Sequence, residues 1–130
     1  MRSLVLFGAA VVMAAATAAH ADPCEAIPDN GPMPTYLQPG STFSGRVVHI
    51  IDGDSLCVAT GSGQRSWVEV RLADFYAPEM SAGGEQAKAA LQRIAMGKEA
   101  VCKAGSQSYD RVVSSCRVDG RSVRDLMRTA

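Results

Sequence analysis

Asp52, Asp54, Arg71, Glu79 and Arg111 are the residues of this 130-residue chain that could handle a phosphate ester. Asp52 and Asp54 flank Gly53, and a tight turn there would offer two carboxylates to a hard cation such as Ca²⁺. Arg71 and Arg111 are guanidinium groups, each able to grip two phosphate oxygens in a planar fork that lysine lacks. Glu79 follows Pro78 and is of the type that activates a water molecule. Hydrolysis of a phosphodiester asks for those parts: an activated water, a cation near the phosphoryl oxygens and donors for the charge of the transition state. Singly, each residue has a plainer role. Asp-Gly-Asp makes a hairpin turn, the arginines sit on exposed strand faces, and Glu79 is a solvated loop charge. Other chemistries are poorly supplied. Beyond the N-terminal segment the sole histidine is His49, and the four cysteines form no Cys-x-x-Cys pair, which argues against a zinc site or a histidine-based triad.

The surrounding pattern predicts what must position these residues. Residues 45–51 are rich in β-branched side chains and read as a strand, with the 52–54 turn and a return strand over 55–60. After a turn at 61–64, residues 67–73 alternate, with Val68, Val70 and Leu72 on one face and Trp67, Glu69 and Arg71 on the other. Pro78, Gly83 and Gly84 mark a loop. Ala87, Leu91 and Ile94 recur at helical spacing over 85–96, and Gly97 stops the helix. Strands over 99–103 and 111–118, a turn at 119–120 and a short helix over 122–127 complete the chain. Five strands, one helix between the third and fourth, and a short C-terminal helix give an α+β protein with an OB-fold β-barrel over 43–130. That architecture hosts many functions and decides none.

Order and spacing carry more than the single residues do. Ile51-Asp52-Gly53-Asp54-Ser55, Arg71-Leu72-Ala73-Asp74-Phe75-Tyr76-Ala77-Pro78-Glu79 and Ser108-Tyr109-Asp110-Arg111 together make residues 45–118 resemble the staphylococcal nuclease (thermonuclease) family. They are similar to its Ile-Asp-Gly-Asp-Thr turn, its Arg-Leu-x-x-x-Asp-x-Pro-Glu run and its Lys/Arg-Tyr-Gly-Arg run. The resemblance implies a Ca²⁺-dependent nuclease acting as a monomer on single-stranded DNA or RNA. It implies that Asp54 is a Ca²⁺ ligand with Asp52 in support, and that Ala77 offers its backbone carbonyl to the metal. Glu79 would then be the general base, Arg71 and Arg111 would hold phosphate and stabilise the transition state, and Tyr109 would lie beside the nucleotide. Two positions depart from the pattern. Tyr76 stands where the family has a second metal-binding aspartate, and a neutral phenol is a poor Ca²⁺ ligand. Asp110 replaces the glycine before Arg111. If residues 74–76 are extended, Asp74 shares a face with Tyr76 and could supply the missing carboxylate. A non-catalytic OB-fold module that binds nucleic acid or phosphate is the alternative, and a structural, disulfide-tied domain is a third reading.

The N-terminus predicts export to the periplasm or the medium. Arg2, the apolar run from Leu4 to Ala16 and Ala19-His20-Ala21 fit a signal peptide over 1–21, with the mature chain beginning at Asp22 and carrying no membrane anchor. Arg2 is one of the thirteen basic residues, so twelve remain against thirteen acidic ones. Bulk positive charge is therefore absent, and any contact with nucleic acid must come from a local site. Residues 22–42, with five prolines, read as an extended leader without regular structure. Cys24, Cys57, Cys102 and Cys116 all follow the signal, which favours disulfides over buried free thiols. Cys102 and Cys116 are equidistant from Tyr109 and would face each other in a hairpin centred there. Elimination then pairs Cys24 with Cys57.

Overall fold

The computed structural model describes residues 23–77 and 83–130. The segment read as a signal peptide, Pro78 and Glu79 lie outside the described residues. In chain order the elements are β1 (Thr42–Asp52), β2 (Ser55–Ala59), β3 (Trp67–Leu72), α1 (Gly84–Ala95), β4 (Glu99–Ser108), β5 (Arg111–Val118), β6 (Arg121–Ser122) and α2 (Val123–Arg128).

β1 is long because it serves two partners. Its first half, from Thr42 to Arg46, pairs antiparallel with β4, and its second half, from Arg46 to Asp52, pairs antiparallel with β2. Irregularities between Val47 and His49 and between Ile50 and Asp52 bend the strand between those tasks. Gly45 lets the end of β2 come close to β1, since a Cβ there would strike the carbonyl of Ala59. β2 pairs with β3, β4 with β5, and a parallel β3–β5 pairing at Val70–Val112, Arg71–Val113 and Leu72–Ser114 closes the ring. The result is a closed, mixed five-stranded OB-fold-like barrel with two helices.

The alternating positions fill its interior. Val47, Ile50, Leu56, Val58, Val68, Val70, Leu72, Val112 and Val118 are buried, with Leu91 of α1 and Val123 of α2. α1 packs on β1 and α2 through Ala90, Leu91 and Ala95. Ser122 caps α2, its Oγ accepting the amide N–H of Asp125 at 3.2 Å. Among the described residues no helix is long and apolar enough to cross a membrane.

Three expectations change. The leader is not wholly irregular: Thr35–Leu37 forms a 3₁₀ turn, and Ile27 and Leu37 are buried members of the same core. Its proline density suppresses helix and sheet, but two apolar side chains and a covalent tie are enough to seat it. The tie is the Cys24–Cys57 disulfide, next to which the amide of Ala26 donates to the carbonyl of Trp67 at 3.0 Å. Glu69, expected on an open face, is only 6% exposed, because the leader runs across that side of β3 beside its register partner Cys57. β4 continues to Ser108 rather than stopping at 103, since its pairing with β5 resumes at Gln107–Val112 after an irregularity beyond Ala104. The second disulfide, Cys102–Cys116, bridges an in-register pair of that hairpin. In the chain-entropy account, a bridge closing a loop of this size stabilises by roughly 3 kcal/mol. Two disulfides fit an oxidising compartment.

Candidate phosphate site

The β1–β2 turn is an aspartate turn folded on itself. The amide of Asp54 donates to Oδ1 of Asp52 at 3.1 Å, and the hydroxyl of Ser55 donates to Oδ1 of Asp54 at 3.4 Å. Gly53 lets that turn sit against its neighbours. A Cβ there would lie 2.7 Å from the Cβ of Ala77 and 2.6 Å from the Cβ of Ala87. The turn therefore meets both the segment after β3 and the first turns of α1.

Strand pairing brings Arg71 to the same place. Ser55 and Arg71 are register partners, and the amide of Leu72 donates to the carbonyl of Asp54 at 2.8 Å. The Nη2 of Arg71 lies 3.3 Å from Oδ2 of Asp54, and that same oxygen accepts the amide N–H of Ala77 at 3.0 Å. Nη1 of Arg71 donates to the carbonyls of Leu72 at 2.6 Å and Phe75 at 2.9 Å. The guanidinium is thus held in one pose, with the Tyr76 ring across it at 5.0 Å from Cζ to centroid. Burial pushes the Asp54 carboxyl above its ordinary value of 3.8. The Ala77 amide pulls the other way, Asp52 adds to the rise through a hydrogen bond and its charge, and Arg71 opposes it.

The expected metal ligands are only partly assembled. Asp52 and Asp54 meet, and their mutual repulsion is of the kind a cation relieves. It is the N–H of Ala77 that is bonded to Asp54. Among the described residues, no group of three His, Cys, Asp or Glu side chains is placed to hold a metal ion. Tyr76 is 81% exposed and stacks outward over Arg71. Asp74 does not replace the missing carboxylate. Its φ of 58° breaks the extended path needed to share a face with Tyr76, and its Oδ2 lies 3.8 Å from Arg124 on α2. Ca²⁺ takes six to eight oxygens, so the two carboxylates that meet here fall well short of a full ligand set.

Arg111 and Tyr109 form a second cluster nearby. On the parallel β3–β5 pair, Arg111 precedes Val112 and Arg71 follows Val70, so both arginines lie on the outer face, about two residues apart along the strands. Nη2 of Arg111 donates to the Ser108 hydroxyl at 2.9 Å. Tyr109 occupies the hairpin tip with a φ of 60° and is largely exposed. A cavity of about 340 Å³ lies between these residues, Glu69, Asp110 and Asp29 of the leader. The contribution of Asp29 was not legible locally, since it depends on where the disulfide seats the leader. The Arg71–Tyr76 stack was not anticipated either, although an arginine five residues before an exposed aromatic is its trace in the sequence.

No protein-family model matches the chain, and no curated protein matches it.

Proposed function

We propose that the protein is an exported phosphodiesterase of the staphylococcal-nuclease kind that acts on single-stranded DNA or RNA, with activity attenuated by Tyr76. The observation that carries this reading is the Asp54–Arg71 pair, a carboxylate on the β1–β2 turn and a fixed guanidinium on β3, 3.3 Å apart, within the two runs that resemble the nuclease motifs. Arg71 spends Nη1 on backbone carbonyls and keeps its Nη2 edge toward the site, where it can meet a phosphate oxygen. Arg111, on the same outer face, supplies a second guanidinium. Tyr109 and Tyr76 offer exposed rings on which unpaired bases can stack. Glu79 is assigned the water-activating role by its place in the motif. Asp54, supported by Asp52 and the Ala77 carbonyl, would hold Ca²⁺, and a bound cation supplies positive charge at the phosphoryl oxygens.

A second reading, a non-catalytic module that binds single-stranded nucleic acid, is favoured by one observation. The tyrosine that replaces the expected ligand is placed as a stacking surface over Arg71. One assay set separates the two. The disulfide-bonded protein is incubated with single-stranded DNA and RNA, with Ca²⁺ or with chelator, alongside Glu79→Ala and Arg71→Met. Cleavage that disappears with chelator and in Glu79→Ala supports the enzyme. Removal of Arg71 should lower the rate roughly a hundredfold or more. Binding without cleavage in wild type and in every variant would establish the module instead.

A further inference from the structure

We propose that the groove between the outer face of β4–β5 and the start of α2 is a phosphate-binding subsite distinct from the Asp54–Arg71 pair. The groove encloses about 360 Å³, and Lys103, Arg117 and Arg124 line it together with Thr42 and Ser115. Strand register builds it. Thr42 pairs with Lys103 and Lys103 with Ser115, so the three form one row across β1, β4 and β5. The next row toward the barrel end holds Cys102 and Cys116, which are buried, so the pleat turns Lys103 and Ser115 outward. Arg117 pairs with Val101 and faces the same side two residues on. The disulfide between the intervening cysteines holds these two rows at fixed spacing.

The chemistry of the lining selects the ligand. Three cationic side chains face one carboxylate, Asp125, on a chain whose formal net charge is zero. Arg124 is already shared between Asp125 at 3.1 Å and Asp74 at 3.8 Å. Arg117 gives one N–H to the carbonyl of Gly120 at 3.0 Å and keeps the rest of its fork. The Lys103 ammonium makes no hydrogen bond or ion pair among the described residues. An ammonium, a guanidinium fork and two hydroxyls converging on one space match a tetrahedral anion with several acceptor oxygens better than a planar carboxylate. The phosphate can come free in solution or from the backbone of a nucleic-acid strand. Ala73 lines the groove and belongs to the segment that carries Phe75, Tyr76 and Ala77 past Arg71. A strand lying on Arg71 would therefore continue toward Lys103. That second source rests on the proposed function, and the groove itself does not.

Amide chemical shifts of the isotope-labelled, disulfide-bonded protein test this. Titrations use inorganic phosphate, sodium chloride at matched ionic strength, and single-stranded oligothymidylate, on wild type, Lys103→Gln/Arg117→Gln and Arg71→Met. Millimolar phosphate should shift the amides of Lys103, Ser115 and Arg117, and the double variant should weaken the midpoint at least about tenfold, equivalent to about 1.4 kcal/mol. Arg71→Met, which alters the other site, should leave the phosphate midpoint read at the Lys103, Ser115 and Arg117 amides unchanged. Shifts at these amides with the oligonucleotide, weakened by Arg71→Met, assign the phosphate to a strand; shifts with inorganic phosphate alone assign it to a free ion. Absence of shifts with both, equal shifts with chloride, or an undiminished response in the double variant overturns the subsite. Failure of the wild type to cleave nucleic acid would remove the nuclease reading and leave the phosphate titration untouched.

Discussion

Asp54 and Ala77, twenty-three residues apart, are joined by a 3.0 Å bond from the Ala77 amide to the same carboxylate oxygen that faces Arg71. Through it the turn after β1 and the loop after β3 hold each other. One side-chain oxygen thus ties the described end of the segment after β3, at Ala77, to the β1–β2 turn.

Gly53→Ala tests that coupling without touching a charged group. The added methyl would stand within 2.7 Å of the Ala77 and Ala87 methyls, so the turn, the loop or α1 must shift. Overpacking of this kind costs about 1–3 kcal/mol. Thermal unfolding should show that loss, and nucleic-acid binding or cleavage should fall by more than Tm alone explains. Activity equal to wild type at a temperature where both are folded would dissociate the Gly53 contact from the site.

Tyr76→Asp should restore a carboxylate beside Asp52 and Asp54 and remove the ring from Arg71. Cleavage should keep its dependence on Ca²⁺, with a lower half-saturating Ca²⁺ concentration and a higher maximal rate than wild type. Tyr76→Ala is the control: it removes the ring without adding a ligand, and should weaken oligonucleotide binding by roughly 1–3 kcal/mol without changing the Ca²⁺ requirement. Calcium titrations of cleavage, run beside oligonucleotide binding curves, separate the effects.

The pH dependence of stability follows from Asp54. Burial raises its folded pKa above the ordinary 3.8, so the folded state binds the proton more tightly than the unfolded one. The contribution of this group is fully present below its unfolded pKa and is lost as pH rises through the folded value. Asp54→Asn abolishes that titration. The Tm advantage of wild type over Asp54→Asn should therefore shrink as pH rises from about 3 to about 6. A difference that stays flat or grows across that range would contradict the desolvation account.

Replacing Cys102 and Cys116 by serine should lower global stability by roughly 3 kcal/mol, read as a shifted denaturant midpoint. Replacing Cys24 and Cys57 should act more locally. Hydrogen exchange at the amides of Glu25 and Ala26, bonded to the carbonyls of Gln64 and Trp67, should accelerate before that of the β1–β2 ladder.

The barrel was legible because its determinants are local. Val68, Val70 and Leu72 announce a strand by alternation, and Ala87, Leu91 and Ile94 announce a helix by their spacing, and all lie where those periods put them. Asp54 and Arg71 could be assigned to one site only through the joint motif, and their direct pairing was not read, since nothing local says that Ser55 and Arg71 will be paired across two strands. What was not legible depends on distant contacts. Ile27 and Leu37 enter the core because a disulfide brings the leader there, and Glu69 is buried for the same reason. Whether 74–76 would be extended could not be read locally; a left-handed backbone at Asp74 sends its carboxylate to Arg124 instead.

The Cys24–Cys57 bond joins the beginning of the described chain to the middle of a central strand. Two core side chains, Ile27 and Leu37, and one wall of the Arg111 cavity, Asp29, therefore belong to a segment fastened by a linkage that two electrons can open. Both cysteines are buried, so the fastening of β3's cover is itself shielded by the cover it fastens.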